Sequence, residues 1–166
     1  MATGRFDHHV PPLREQERGI LYGVAGSRQR GAGSPAIACA AEFFQDTRTI
    51  DPVRGEPWLA GFSLVRPVRL LDVTGPWVTR AGGNQAICSG ERAMARRWSR
   101  AIHAGYPDVG GVYYTPSTYG PARAVALYER AERALPRRPR FHRTLADPGL
   151  REFLRRAAAE LEYELL

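Results

Sequence analysis

Apolar positions recur along this chain with two periods, and the switches between them mark out the elements. In SPAIACAAEFFQD, Ser34–Asp46, residues Ile37, Ala40, Ala41 and Phe44 fall at helical spacing on one side. Ser34 can cap such a helix, and Pro35 suits its first position, where no backbone N–H is needed. Upstream, Gly19 to Val24, GILYGV, reads as a short strand with Tyr22 at its centre. Gly26 to Gly33, GSRQRGAG, reads as the loop between them, without the Gly-Lys-Ser/Thr ending of a phosphate-binding P-loop. Residues 1–19, with Pro11 and Pro12 among mixed charges, read as loop.

Beyond an exposed connection over 46–57, Leu59–Val65 and Val68–Val73 read as two strands around Arg66-Pro67, and Thr74-Gly75-Pro76 closes the unit. Ser89 reads as the cap of a second helix, with Glu91 in its first turn, an inner stripe of Met94, Trp98, Ala101 and Ile102, and Gly105 at its end. Gly110–Tyr114 reads as a strand broken by Thr115-Pro116-Ser117. Ala124–Tyr128 follows as another strand, with a short helix through Ala134. Asp147-Pro148 opens a last helix with Leu150, Phe153, Leu154, Ala157, Ala158 and Leu161 at helical spacing. The mixed order predicts an α+β fold: a single compact domain, 1–166, with a mixed β-sheet core and flanking helices.

Composition narrows the picture. At 166 residues and 43% hydrophobic, the chain can bury one real core. No apolar run approaches the ~18 residues of a membrane span. MATGRFDHH lacks the apolar segment of a signal peptide, so no membrane association and a cytoplasmic location are expected. Two cysteines, Cys39 and Cys88, are too few for a disulfide framework and read as buried thiols. The net charge is +7 and every one of the 24 basic residues is arginine. Those arginines are spread out and not interleaved with stacking aromatics, so direct nucleic-acid binding is not expected. His8 and His9 are adjacent, and His103 and His142 are isolated in sequence, so no metal site is expected.

No nucleophile elbow and no dinucleotide-binding glycine signature is present. A scattered polar set remains: Arg5 in Gly4-Arg5-Phe6, Tyr22 in its strand, Glu42 in its helix and Ser117 beyond a strand. Each has an ordinary reading on its own, as a surface charge, a core aromatic, a solvated carboxylate and a turn residue. Composition and periodicity do not join them.

A resemblance does. GRF at Gly4–Phe6, ILYGV at Ile20–Val24, AAEFFQDTR at Ala40–Arg48 and FSLVRPVRLLDVTG at Phe62–Gly75 follow the order and spacing of the RES domain family. So do ARRWSRAI at Ala95–Ile102 and GVYYTPS leading into AVALYERA at Ala124–Ala131. The likeness covers nearly the whole chain. It implies a fold similar to ADP-ribosyltransferases and an NAD-consuming toxin, a glycohydrolase or phosphorylase, restrained by an Xre-like helix-turn-helix antitoxin. It is compatible with a homo-oligomer. NAD would be a substrate, and no metal is implied. An ADP-ribosyltransferase acting on a protein, or an inactive RES-like binding module, is the alternative.

Carried over by motif, Arg5 would be the family arginine, Tyr22 the tyrosine of the following strand and Glu42 the glutamate. Ser117 would be the serine, with Thr115 as the competing match. On that reading Glu42 stabilises positive charge on the ribose, Arg5 forks onto the pyrophosphate, and Tyr22 offers a ring face and a hydroxyl to the nicotinamide. Ser117 bonds the nicotinamide ribose or amide.

Overall fold

The computed structural model describes residues 4–9, 19–26 and 33–166. Pro11 and Pro12, and the segment 27–32 of the glycine-rich loop, lie outside the described residues. A four-stranded sheet carries the larger core, in the order β1 (Leu21–Val24), β6 (Ala124–Leu127), β5 (Gly111–Tyr114), β4 (Leu71–Asp72). β1 and β5 both run antiparallel to β6, whereas β4 is parallel to β5, so the sheet is mixed. Val112, Tyr114, Ala124 and Ala126 from its strands pack with Phe6, Val73, Ile87 and Ile102, all buried.

A second core forms around α1 (Pro35–Phe43) and α5 (Arg151–Leu161), where Ile37, Ala40, Phe44, Ile50, Leu154 and Ala157 are buried together. Two short pairings frame it: β2 (Thr49–Ile50) parallel to β8 (Glu164–Leu165), and β3 (Trp58–Gly61) antiparallel to β7 (Phe141–Thr144). Because α1 touches both β1 and α5, its faces look toward both cores. The expected α+β class is observed, with one mixed sheet and several helices.

Helix α1 starts as its sequence dictates: Ser34 Oγ accepts from the Ile37 amide, and Pro35 occupies the first turn. The second long helix differs from the expectation. Ser89 closes a short helix, α3 (Ala86–Ser89), and α4 (Arg92–Gly105) starts at Glu91 without a side-chain cap. Ala95, Ser99 and Ile102 form its buried stripe, Met94 and Trp98 are half-buried, and Ala101 is exposed. Another short helix, α2 (Trp77–Arg80), precedes α3. The two strands expected around Arg66-Pro67 shorten to Trp58–Gly61 and Leu71–Asp72, because β7 offers only four partners to the first and β5 only two to the second. The segment after β6 is a 3-10 helix, Glu129–Ala134. Among the described residues, no helix is long and apolar enough to cross a membrane.

Candidate functional site

Arg5, Tyr22, Glu42 and Ser117 come from four separate segments and all line one cavity of about 750 Å³. That volume falls within the range of small-molecule and cofactor sites, roughly 300–1,000 Å³. Thr115, the competing serine position, does not line it, while Ser117 is exposed at its wall.

Arg5 is held by the short segment that carries it. Phe6 is fully buried, with its ring tilted against Tyr114 at 4.7 Å between centroids. The Phe6 carbonyl accepts from Ser99 Oγ at 2.6 Å, and the Gly4 carbonyl accepts from Arg96 Nε at 3.3 Å. Arg5 itself donates through Nη1 to the Gly90 carbonyl. A guanidinium has five N–H donors in a planar fork, so that bond leaves most of the fork for a ligand. Arg92, at the start of α4, adds a second guanidinium to the cavity.

Tyr22 is divided between two environments. About 36% of its surface stays exposed, on the cavity side, while its hydroxyl accepts from the Phe6 amide at 2.8 Å. Burial of the hydroxyl end pushes its pKa well up, although the Phe6 bond opposes this. The ring also explains Gly4, since a Cβ there would stand 2.4 Å from Tyr22 ring atoms. The sequence reading set the Tyr22 hydroxyl at the edge of a bound nicotinamide. In the fold, that oxygen braces the backbone beside Arg5.

Glu42 sits half-buried on the last turn of α1. Thr118 reaches it from the loop after β5, donating its amide at 3.3 Å and its hydroxyl to the same oxygen, Oε1. Tyr114 lies between the polar groups: burial first, then the charges of Glu42 and Tyr22, push its phenol up against the pull of Arg5. Cys39, also on the wall, is a half-buried thiol whose pKa burial raises, with Glu42 adding to the effect. A raised thiol pKa makes it a poor nucleophile.

Three groups escaped the sequence reading. Thr118 was legible only as one more hydroxyl in Thr115-Pro116-Ser117-Thr118, and Arg92 only as one arginine among many. The third overturns the isolation expected for His103. His8 Nε2 lies 3.1 Å from Glu129 Oε2 and His103 Nε2 lies 2.8 Å from Glu129 Oε1, with the two rings stacked at 3.8 Å and 15°. Burial and then the His103 ring beside it lower His8 from 6.5 to about 4, although Glu129 pulls the other way. Burial, the largest single influence, would raise the Glu129 carboxyl, but the bond from His103, its own backbone amide and the nearby His103 and His8 rings together hold it below the ordinary value. These three donors lie within 4.8 Å of one another. In nearly parallel rings, however, the Nε2 lone pairs run side by side and do not converge on a point about 2 Å away, as a zinc ion requires. The cluster is arranged as a clamp between the Arg5 segment, α4 and the 3-10 helix, with a hydrogen bond between His103 and Glu129 and His8 stacked on the His103 ring.

No protein-family model, curated protein or solved structure matches the chain.

Proposed function

We propose that this chain is an RES-type enzyme that consumes NAD by breaking the bond between nicotinamide and ribose, and that it serves as the toxin of a toxin–antitoxin pair. The observation that carries this reading is the meeting of Arg5, Tyr22, Glu42 and Ser117 around one cavity of about 750 Å³. Four residues singled out by motif alone, from positions 5 to 117, have no local reason to share a wall. On this reading the fold is a variant of the ADP-ribosyltransferase architecture and the protein works in the cytoplasm.

The proposed chemistry follows from the groups present. As the C–N bond breaks, its electron pair leaves with the pyridinium nitrogen and positive charge grows on the ribose carbon. The departing nicotinamide is neutral, so no strong general acid is needed. Glu42 faces that charge: Thr118 fixes its Oε1, leaving Oε2 for the ribose or for the incoming nucleophile. Water, or inorganic phosphate, forms the new bond to the ribose carbon. With water as nucleophile, the proton it loses passes to Glu42 or to solvent. Arg5, with Arg92 beside the same cavity, supplies donors for the pyrophosphate. The open face of Tyr22 receives the nicotinamide ring, and Ser117 offers a hydroxyl to the ribose or amide.

An enzyme that drains NAD needs a restraint, and the proposed one is an Xre-like helix-turn-helix partner that closes the cavity. Expression of the chain alone should arrest bacterial growth and lower cellular NAD, and co-expression of its genomic neighbour should restore both. Full growth with normal NAD at high levels of the wild-type chain would overturn the toxin reading.

A further inference from the structure

Resting on the NAD reading above, we propose that Trp58 is the stacking platform for the adenine of the dinucleotide, on the β3/β7 side of the cavity. The cavity reaches from the large sheet to the β3/β7 strand pair, where Pro57 and Trp58 form part of its wall. Among the described residues, the arginines lining it are Arg5 and Arg92, on the large-sheet side, beside Phe6 and at the start of α4. Phosphates are drawn to that side. The β3/β7 side offers the aromatic surface of Trp58 instead, and Phe43 and the Asp46 carboxylate also line the cavity.

Trp58 is 56% exposed, a large apolar area to leave in water. It is also held. Its indole stacks on His142 of the paired strand at 4.5 Å and 22°, and the strand register places the two residues diagonally on one face, two rungs apart. Trp58 lines the cavity and His142 does not, and in the proposed complex the adenine takes the indole face away from His142. A ring already fixed by one stack loses little further freedom when a base stacks on it. The result is a site with two different ends, one ionic and one flat and aromatic, which fixes the direction in which a dinucleotide lies.

Two measurements on the purified chain test the assignment. In the first, kcat/KM for nicotinamide release is compared between NAD and nicotinamide mononucleotide, which has the same scissile bond and no adenine. Trp58→Ala should lower the ratio of the two by about tenfold, the ordinary weight of one base–aromatic stack. Trp58→Phe should restore most of it. In the second, AMP should quench indole fluorescence in the wild type and not in Trp58→Phe, which keeps Trp77 and Trp98. An unchanged ratio in a folded Trp58→Ala that still cleaves NAD overturns the platform and leaves the NAD reading standing. If the wild type cleaves neither substrate, the NAD reading fails. AMP quenching that depends on Trp58 then still supports a base-binding platform, and its absence overturns that too.

Discussion

Thr118 donates both its amide and its hydroxyl to one oxygen of Glu42. Two donors on Oε1 fix the plane of the carboxylate, which aims its charge at the cation that the proposed chemistry develops on the ribose. Thr118→Val keeps the amide bond and the side-chain shape but removes the hydroxyl. A hydrogen bond to a charged group contributes about 1.5–3 kcal/mol. With about half of that expressed in the transition state, turnover should fall by roughly tenfold. The check is kcat for nicotinamide release, with thermal unfolding recorded beside it. A wild-type kcat in Thr118→Val would leave Glu42 without the aiming role assigned to its partner.

Tyr22→Phe tests the brace beside Arg5. It keeps the ring but leaves the Phe6 amide without its acceptor, which should cost about 1–2 kcal/mol of stability. Gly4→Ala attacks the same contact from the other side, because the added methyl meets the Tyr22 ring at 2.4 Å. Both should lower the urea midpoint and raise KM for NAD more than they lower kcat, since the displaced group is the Arg5 backbone. Two variants with wild-type midpoints would show that the Tyr22 hydroxyl supports nothing.

Arg5→Lys keeps the charge and loses the planar fork. NAD should bind about tenfold more weakly, and raising the salt should not restore it. Calorimetry with NAD in a Glu42→Gln background reads binding without turnover. Equal affinity with and without the Arg5→Lys change in that background would remove the arginine from the phosphate site.

Acid should loosen the fold through His8 and Glu129. Free His8 titrates near 6.5 and the folded residue near about 4, so between these values the unfolded chain holds more protons. Stability that is complete above 6.5 is therefore lost as pH falls toward 4. Glu129, held below its ordinary value, acts in the same direction, losing its stabilising charge at the acid end. His103, His9, Asp7 and Tyr128 are the other groups facing His8. Tm should drop on acidification, and His8→Gln should flatten the drop over the upper part of that window. A Tm that stays level, or an unaltered slope in His8→Gln, would contradict this account of the clamp.

Much of the fold was legible because local rules fixed it. Ser34 and Pro35 opened α1, the apolar runs gave β1, β5 and β6, and Asp147 caps the turn before α5 through the Gly149 amide. What escaped depends on partners far away in sequence. Thr49–Ile50 is a strand only because Glu164–Leu165 lies beside it. Phe141–Thr144 is mostly exposed and arginine-flanked, with no alternation to reveal it, and exists through Trp58–Gly61. On α4 helical spacing alone points to Ala101, whereas packing against Phe6 selects Ser99, whose hydroxyl satisfies the Phe6 carbonyl and meets Tyr128. The candidate site divides in the same way. Motif order supplied Arg5, Tyr22, Glu42 and Ser117. Thr118, the His8–His103–Glu129 clamp and Trp58 are set by tertiary contacts that no spacing encodes.

The most direct measurement is nicotinamide release from NAD by the purified chain, wild type beside Glu42→Gln. Glutamine keeps the size of the side chain and an oxygen for Thr118, and removes the charge. The account predicts steady release by the wild type and a fall of roughly a hundredfold or more in Glu42→Gln, with thermal unfolding nearly unchanged. Release at the same rate by both proteins would remove Glu42 from the chemistry, and no release by the folded wild type would contradict the NAD-consuming reading itself.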